Sequence, residues 1–205
     1  KYAVFSVGHG GVETLVGNCR LPLTQYGGMK WAKTLSSLDS IDAVARTTDG
    51  SYYIAGSTEG VIYSAGNDIA VVKLDCVGNL AYSFVIRTWE DDKALGICPS
   101  GDGGFFLTAQ TKEFGDKSLH GWIIRFDANA SIVWQKYSQR FAKSPKITDG
   151  NGLVALDEDN VFELDADGNV VRQNKYSSPS GQLSLEAVSA TTDNGWWVAG
   201  VHNEG

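Results

Sequence analysis

Apolar residues along this chain come in short runs, and clusters of Gly, Asp, Asn and Ser separate them. Phe105-Phe106-Leu107 and Trp122-Ile123-Ile124 are typical: strand-sized, aromatic or β-branched, and bounded by Gly or charge. Runs of this kind between turn-forming residues predict β-strands. No apolar period of 3.6 is sustained over three turns, so the pattern predicts no amphipathic helix. Between residues 29 and 79 it predicts four strands, at 30–35, 42–47, 52–57 and 69–74.

The pattern also repeats. Thr47-Thr48-Asp49-Gly50-Ser51-Tyr52-Tyr53-Ile54-Ala55-Gly56 returns as Thr191-Thr192-Asp193-Asn194-Gly195-Trp196-Trp197-Val198-Ala199-Gly200, with looser copies at 100–109 and 148–156. A second phrase follows it: Lys73-Leu74-Asp75-Cys76-Val77-Gly78-Asn79 matches Arg125-Phe126-Asp127-Ala128-Asn129-Ala130-Ser131 and Glu163-Leu164-Asp165-Ala166-Asp167-Gly168-Asn169. The aligned units are 29–79, 80–130, 131–169 and a partial 170–205, with half a unit at 1–28. Four short strands in roughly 40–50 residues is the period of a propeller blade. The fold expected is therefore all-β, a single propeller domain over 1–205 with four-stranded antiparallel blades, about four to five units being present.

Two irregularities stand out. Unit 131–169 is short, and its compressed turn at Ser144-Pro145 marks either a face adapted to a partner or drift. At the ends, residues 1–28 supply strands like the third and fourth of a unit, at 2–7 and 19–24, and the last unit supplies the first three. Joining the ends would duplicate a third strand, so a fragment of a larger ring is favoured over irregular closure. The start at Lys1, without Met or a signal-peptide pattern, fits a processed piece.

Composition narrows the partners. With 42% hydrophobic and 11% aromatic residues the chain is no disordered segment, and 24 Gly beside one Met exclude a coiled coil. A formal charge of −7 repels phosphate backbones, so no nucleic acid is expected. No apolar run approaches the roughly 18 residues of a membrane helix. Cys19, Cys76 and Cys98 form no CxxC and fit no zinc site; they allow at most one bridge and leave the redox compartment open.

Trp31, Lys33, Asp49, Gly50, Tyr53, Ala55, Gly56, Asp68, Lys73, Leu74, Asp75, Gly78 and Asn79 stand where a W-x-K, D-G-G-Y-x-x-A-G, D-x-x-x-K-L-D-x-x-G-N pattern requires them. In this the repeats resemble the blades of bacterial and archaeal β-propeller repeat proteins. The resemblance implies a secreted or surface-attached module on a fold that hosts enzymes, lectins and scaffolds alike.

Candidate chemistry is sparse. His9 with Pro22-Leu23-Thr24-Gln25-Tyr26-Gly27, and His202 as a second histidine, are superficially similar to the histidine phosphatases, but Gly8 stands where that chemistry needs Arg. Asp165-Ala166-Asp167-Gly168-Asn169 begins like a calcium loop, yet Val170 and Tyr176 occupy the positions that need Gly and an acid. Glu90-Asp91-Asp92 reads as a solvated acidic turn, and Trp196-Trp197 as two rings on opposite faces of one strand. No catalytic, cofactor-binding or metal residue is assigned, and no cofactor is expected. The expected role is a non-catalytic scaffold or binding module, extracellular or at the cell surface. Its partners would be a protein, a glycan, or a second copy that completes the ring. A carbohydrate-binding propeller and a fragment of a propeller enzyme are the alternatives.

Overall fold

The structure, a computed structural model, describes residues 2–7, 29–59, 66–112, 118–178, 182–191, 193 and 195–203. These residues form sixteen β-strands and no helix. Three sheets have four strands each. They are β3 (Ala43–Arg46) to β6 (Leu80–Ile86), β7 (Asp92–Pro99) to β10 (Ile132–Ser138), and β11 (Lys143–Ile147) to β14 (Val170–Lys175). Within them lie β4 (Tyr52–Glu59), β5 (Asn67–Leu74), β8 (Phe105–Thr111), β9 (His120–Phe126), β12 (Leu153–Asp157) and β13 (Asn160–Leu164). Each is an antiparallel meander in chain order. Two-stranded sheets stand at either end, β1 (Tyr2–Val7) with β2 (Met29–Leu35) and β15 (Gln182–Ala190) with β16 (Trp196–Asn203). Strand β3 touches β7, β7 touches β11, and β11 touches β15, so first strand follows first strand as blades do in a propeller.

The sheets are one strand out of phase with the sequence units. The strand carrying Trp31 was expected to open a unit, but it pairs with β1 and closes the preceding sheet. Likewise β14 closes the β11–β14 sheet and does not open the last one. The reason lies in the turns. Asp75 to Asn79 is too short for anything but a hairpin between hydrogen-bonded neighbours, so β5 and β6 must share a sheet. The crossing to the next sheet comes after the fourth strand. The predicted strand at 19–24 lies outside the described residues.

Burial rises and falls across each blade. Strands β8 and β9 are buried almost throughout, whereas β10 and β14 are mostly or wholly exposed. Faces of adjacent sheets interlock. Tyr53, Ala55, Ile69 and Val71 of one sheet meet Phe105, Leu107, Trp122, Ile124 and Phe126 of the next. Phe105 stacks on Phe126 with ring centroids 4.6 Å apart, and the Tyr53 hydroxyl donates to the Gly103 carbonyl at 3.0 Å. Each fully buried side chain of this size stabilises the fold by about 1.5–3 kcal/mol. The interlock explains why a lone blade is not a stable unit.

Outer strands add a clasp. Trp134 of β10 donates its indole N–H to the Ala166 carbonyl at 2.8 Å, in the β13–β14 turn of the following sheet. Trp31 does the same to Cys76 at 3.2 Å. The Trp134 ring lies over Gly168, whose φ of 82° and proximity to the ring (a Cβ would sit 3.0 Å from Cε2) both favour glycine. Cys76 is buried and disulfide-bonded; Cys98 is a buried free thiol whose pKa burial pushes up to about 12.

Candidate functional site

The two ends of the sheets differ in kind. At one end lie the repeat turns, and their carboxylates are consumed by local backbone. Asp75 accepts the N–H groups of Val77 and Asn79, Asp127 those of Asn129 and Ser131, and Asp165 those of Asp167 and Asn169. The calcium-like phrase at Asp165 is thus an Asx turn. The Asn169 N–H, first among these contacts, holds the Asp165 carboxyl below its ordinary pKa. Asp102 also leaves its turn to meet buried Arg125, whose guanidinium lies 4.6 Å from the centroid of the Phe106 ring. Burial pushes Asp102 up, but the Ser100 hydroxyl, the Gly104 N–H and Arg125 outweigh it and lower its pKa.

The opposite end carries the crossings between sheets, and there the short unit leaves a hollow. Strands β4 and β5 run eight residues each, whereas β12 and β13 run five and join through Glu158 and Asp159 alone. At about 3.3 Å per residue, three missing residues lower this blade by roughly 10 Å. The neighbouring strands β15 and β16, with nine and eight residues, are not shortened. The result is a cleft of about 620 Å³ lined by Phe141, Lys143, Glu158, Asp159, Tyr176, Ser177, Ser178, Leu183 and Ser184.

Its rim is strained. Among the described residues, four that are not glycine have left-handed φ: Ala130, Ser144, Asn151 and Glu158. Ala130 and Asn151 occupy turn positions where other units place Gly78 and Gly50, so the repeat accounts for them. Ser144 (φ 53°) and Glu158 (φ 47°) have no such origin; Glu158 lines the cleft, and Ser144 follows Lys143, which lines it too. Ser144 sits where the β11–β12 register slips between Lys143 and Lys146, and its hydroxyl accepts the Val188 N–H at 3.2 Å. Pro145 then presses on Gly96, where a Cβ would lie 2.3 Å from Pro145 Cδ. Glu158 takes the first place of a two-residue hairpin turn, a position that suits glycine when φ is positive. Two backbone bonds hold it there: the Glu158 carbonyl accepts from Leu185 at 3.2 Å and the Asp159 carbonyl from Tyr176 at 2.8 Å.

Charge around the cleft is tightly paired. Arg140 contacts Asp157 at 3.1 Å, Asp159 at 3.3 Å and Glu158 at 3.7 Å. Lys175 meets Asp159 at 3.1 Å, and Lys143 meets Glu186 at 3.4 Å. Lys175 and then Arg140 hold the Asp159 carboxyl below its ordinary pKa; the Ser184 hydroxyl, followed by Lys143, does so for Glu186. These carboxylates are fixed as anions. Beside them a hydroxyl meets an imidazole: Ser178 Oγ lies 2.7 Å from His202 Nε2.

His202 therefore reaches this cleft region from β16, while His9 lies outside the described residues. The acidic turn is not isolated, since Asp91 accepts the Asn67 N–H and pairs with Lys112 at 3.2 Å. Trp196 faces inward, beneath the Arg172 guanidinium at 4.1 Å, whereas Trp197 is 77% exposed. The other strongly exposed tryptophan, Trp89, lies outside the strands and is no repeat equivalent of Trp197. Among the described residues no group of three or more His, Cys, Asp or Glu is placed to hold a metal ion. None of the cleft residues had been assigned a role from sequence. The one signal was the shortened unit with its Ser144-Pro145 departure.

No protein-family model and no curated protein matches the chain. Among solved structures it is similar to a protein of unknown function from Bacteroides caccae, at 11% identity and a TM-score of 0.58 over 96% of this chain. The chain spans 64% of that protein's length. It is also similar to a gluconolactonase from Xanthomonas campestris (14% identity, TM-score 0.48, 83% of this chain and 59% of the other). A third is the WD40 domain of Neurospora crassa Pan2 (10% identity, TM-score 0.42, 78% and 60%). The architecture is that of an all-β propeller, and no helix among the described residues is long and apolar enough to cross a membrane. The expectation of a non-catalytic scaffold for protein partners is corrected: the comparisons give it no support, and the propeller fold they show hosts enzymes as well as scaffolds. Nothing about substrate transfers at this level of likeness, which concerns fold alone.

Proposed function

We propose that these sheets belong to a propeller enzyme that acts on a small polar organic molecule held in the cleft beside β15. The observation that carries the reading is the pairing of the hollow with two strained residues, Ser144 and Glu158, that no repeat turn demands. Strain of this kind persists where the surroundings over-determine it, and it clusters at functional sites. About 620 Å³ is a volume suited to a small molecule. One ammonium, two carboxylates and three serine hydroxyls beside Phe141 and Leu183 can orient a hydroxylated ligand.

The narrower kinship with bacterial and archaeal propeller repeat proteins is part of the same reading, supported by the blade pattern. Export from the cytoplasm is part of it too. The disulfide at Cys76 supports it, because such bonds persist in oxidising compartments.

The test is a panel of sugar acids, lactones and simple esters, followed by thermal shift and by turnover. A ligand should raise the unfolding temperature of the wild-type chain and be converted, and Ser184→Trp, which fills the cleft, should abolish both. A panel with no binder, or binding indifferent to Ser184→Trp, refutes the reading.

A further inference from the structure

We infer that Ser178 is an acyl-accepting nucleophile with His202 as its base, so that the cleft hydrolyses carboxylic esters or lactones through an acyl-serine. The inference rests on the cleft being the reaction site. Ser178 lies on the segment that leaves β14 and lines the cleft; His202 lies on β16, opposite Leu183, which lines it too. Their side chains meet at 2.7 Å, within the reach required of a nucleophile and its base.

The other polar groups are less suited to this work. Asp159 is engaged by Lys175 and Arg140. Glu186 is engaged by Lys143 and by the Ser184 hydroxyl, so Ser184 already donates to a carboxylate. Of the three cleft serines, Ser178 is the one that meets an imidazole among the described residues. Lys143 brings positive charge to the same hollow, where an oxyanion would develop.

With its proton on Nδ1, His202 presents the Nε2 lone pair to the Ser178 hydroxyl. Ser178 Oγ forms a bond to the carbonyl carbon as its proton passes to Nε2. The tetrahedral adduct collapses, the C–O bond to the alcohol breaks, and the alcohol oxygen takes the proton from Nε2. Water then attacks the acyl carbon and gives a proton to Nε2. Ser178 Oγ departs with that proton, leaving the free acid. Ester and water become acid and alcohol, with no other reactant.

The experiment treats the full chain with a fluorophosphonate, which phosphonylates activated serines, and maps the adduct by peptide mass spectrometry. One adduct is expected, on the peptide containing Ser178. It should be absent in Ser178→Ala and form roughly 100-fold or more slowly in His202→Gln. His202 is exposed and Ser178 half-buried with a small side chain, so both variants should unfold close to the wild-type temperature, which separates chemistry from folding. No adduct, an adduct elsewhere, or unchanged labelling in Ser178→Ala overturns the inference. Turnover in the cleft that survives Ser178→Ala also overturns it while leaving the broader reading intact. An adduct on Ser178 with no cleft ligand found supports the nucleophile and removes that reading.

Discussion

Glu158→Gly should make the protein more stable while weakening whatever the cleft does. Glu158 holds φ at 47°, and its side chain is 71% exposed. A left-handed backbone costs an ordinary L-residue about 1–2 kcal/mol, which glycine does not incur. Against that, glycine widens the unfolded ensemble by about 0.5–1 kcal/mol. The backbone bond from Leu185 to the Glu158 carbonyl survives the change, because it involves no side chain. Arg140 keeps Asp157 and Asp159 after it loses the 3.7 Å contact with Glu158, so no charge is stranded. The balance is a gain of about 0.5–1 kcal/mol, or roughly 1–4 °C in the unfolding midpoint of a chain this size. Glu158→Ala, which keeps the strained backbone, should show no such gain. Urea unfolding and thermal scans on the three proteins decide the matter. A Glu158→Gly protein less stable than wild type would refute the claim that strain is stored at the cleft rim.

Other outcomes follow from the interlocked faces and the repeat turns. Asp102→Ala should cost about 3 kcal/mol, because it leaves the Arg125 charge buried without its carboxylate; an equal loss in the double variant Asp102→Ala/Arg125→Met would contradict this. Phe106→Ala should cost about 3–5 kcal/mol, whereas Trp197→Ala, at the equivalent place on the uncovered β16 face, should stay within about 0.5 kcal/mol in chemical denaturation. Acid should destabilise the fold. Asp49 (chiefly through the Thr47 hydroxyl) and Asp165 (chiefly through the Asn169 N–H) have folded pKa values below their unfolded ones. Their contribution is therefore complete above the unfolded pKa of about 4 and is lost as pH falls through the folded values. In a pH series of urea midpoints, Asp165→Asn should flatten the acid limb, and an unchanged limb would show that the turn carboxylates do not matter.

Local chemistry was enough to read most of the architecture. The strands, their turns and the four-strand period follow from residues close in the chain: Asp75 with Gly78 and Asn79 can only make a hairpin, and Tyr53 or Phe106 must find an apolar neighbour. Which strands share a sheet was not legible from the aligned units, because a repeat may be cut anywhere. Only the hydrogen bonding of β2 to β1 and of β14 to β13 shows where one sheet ends. The cleft was hidden for a stronger reason. Lys143, Glu158, Ser178, Ser184 and His202 come from five connections and strands spread over sixty residues, and no spacing links them. Sequence showed a shortened unit; tertiary structure turned the missing length into a hollow, because the next sheet kept its full height. The meeting of Ser178 with His202 was decided in the same way, by the packing of one sheet against the next.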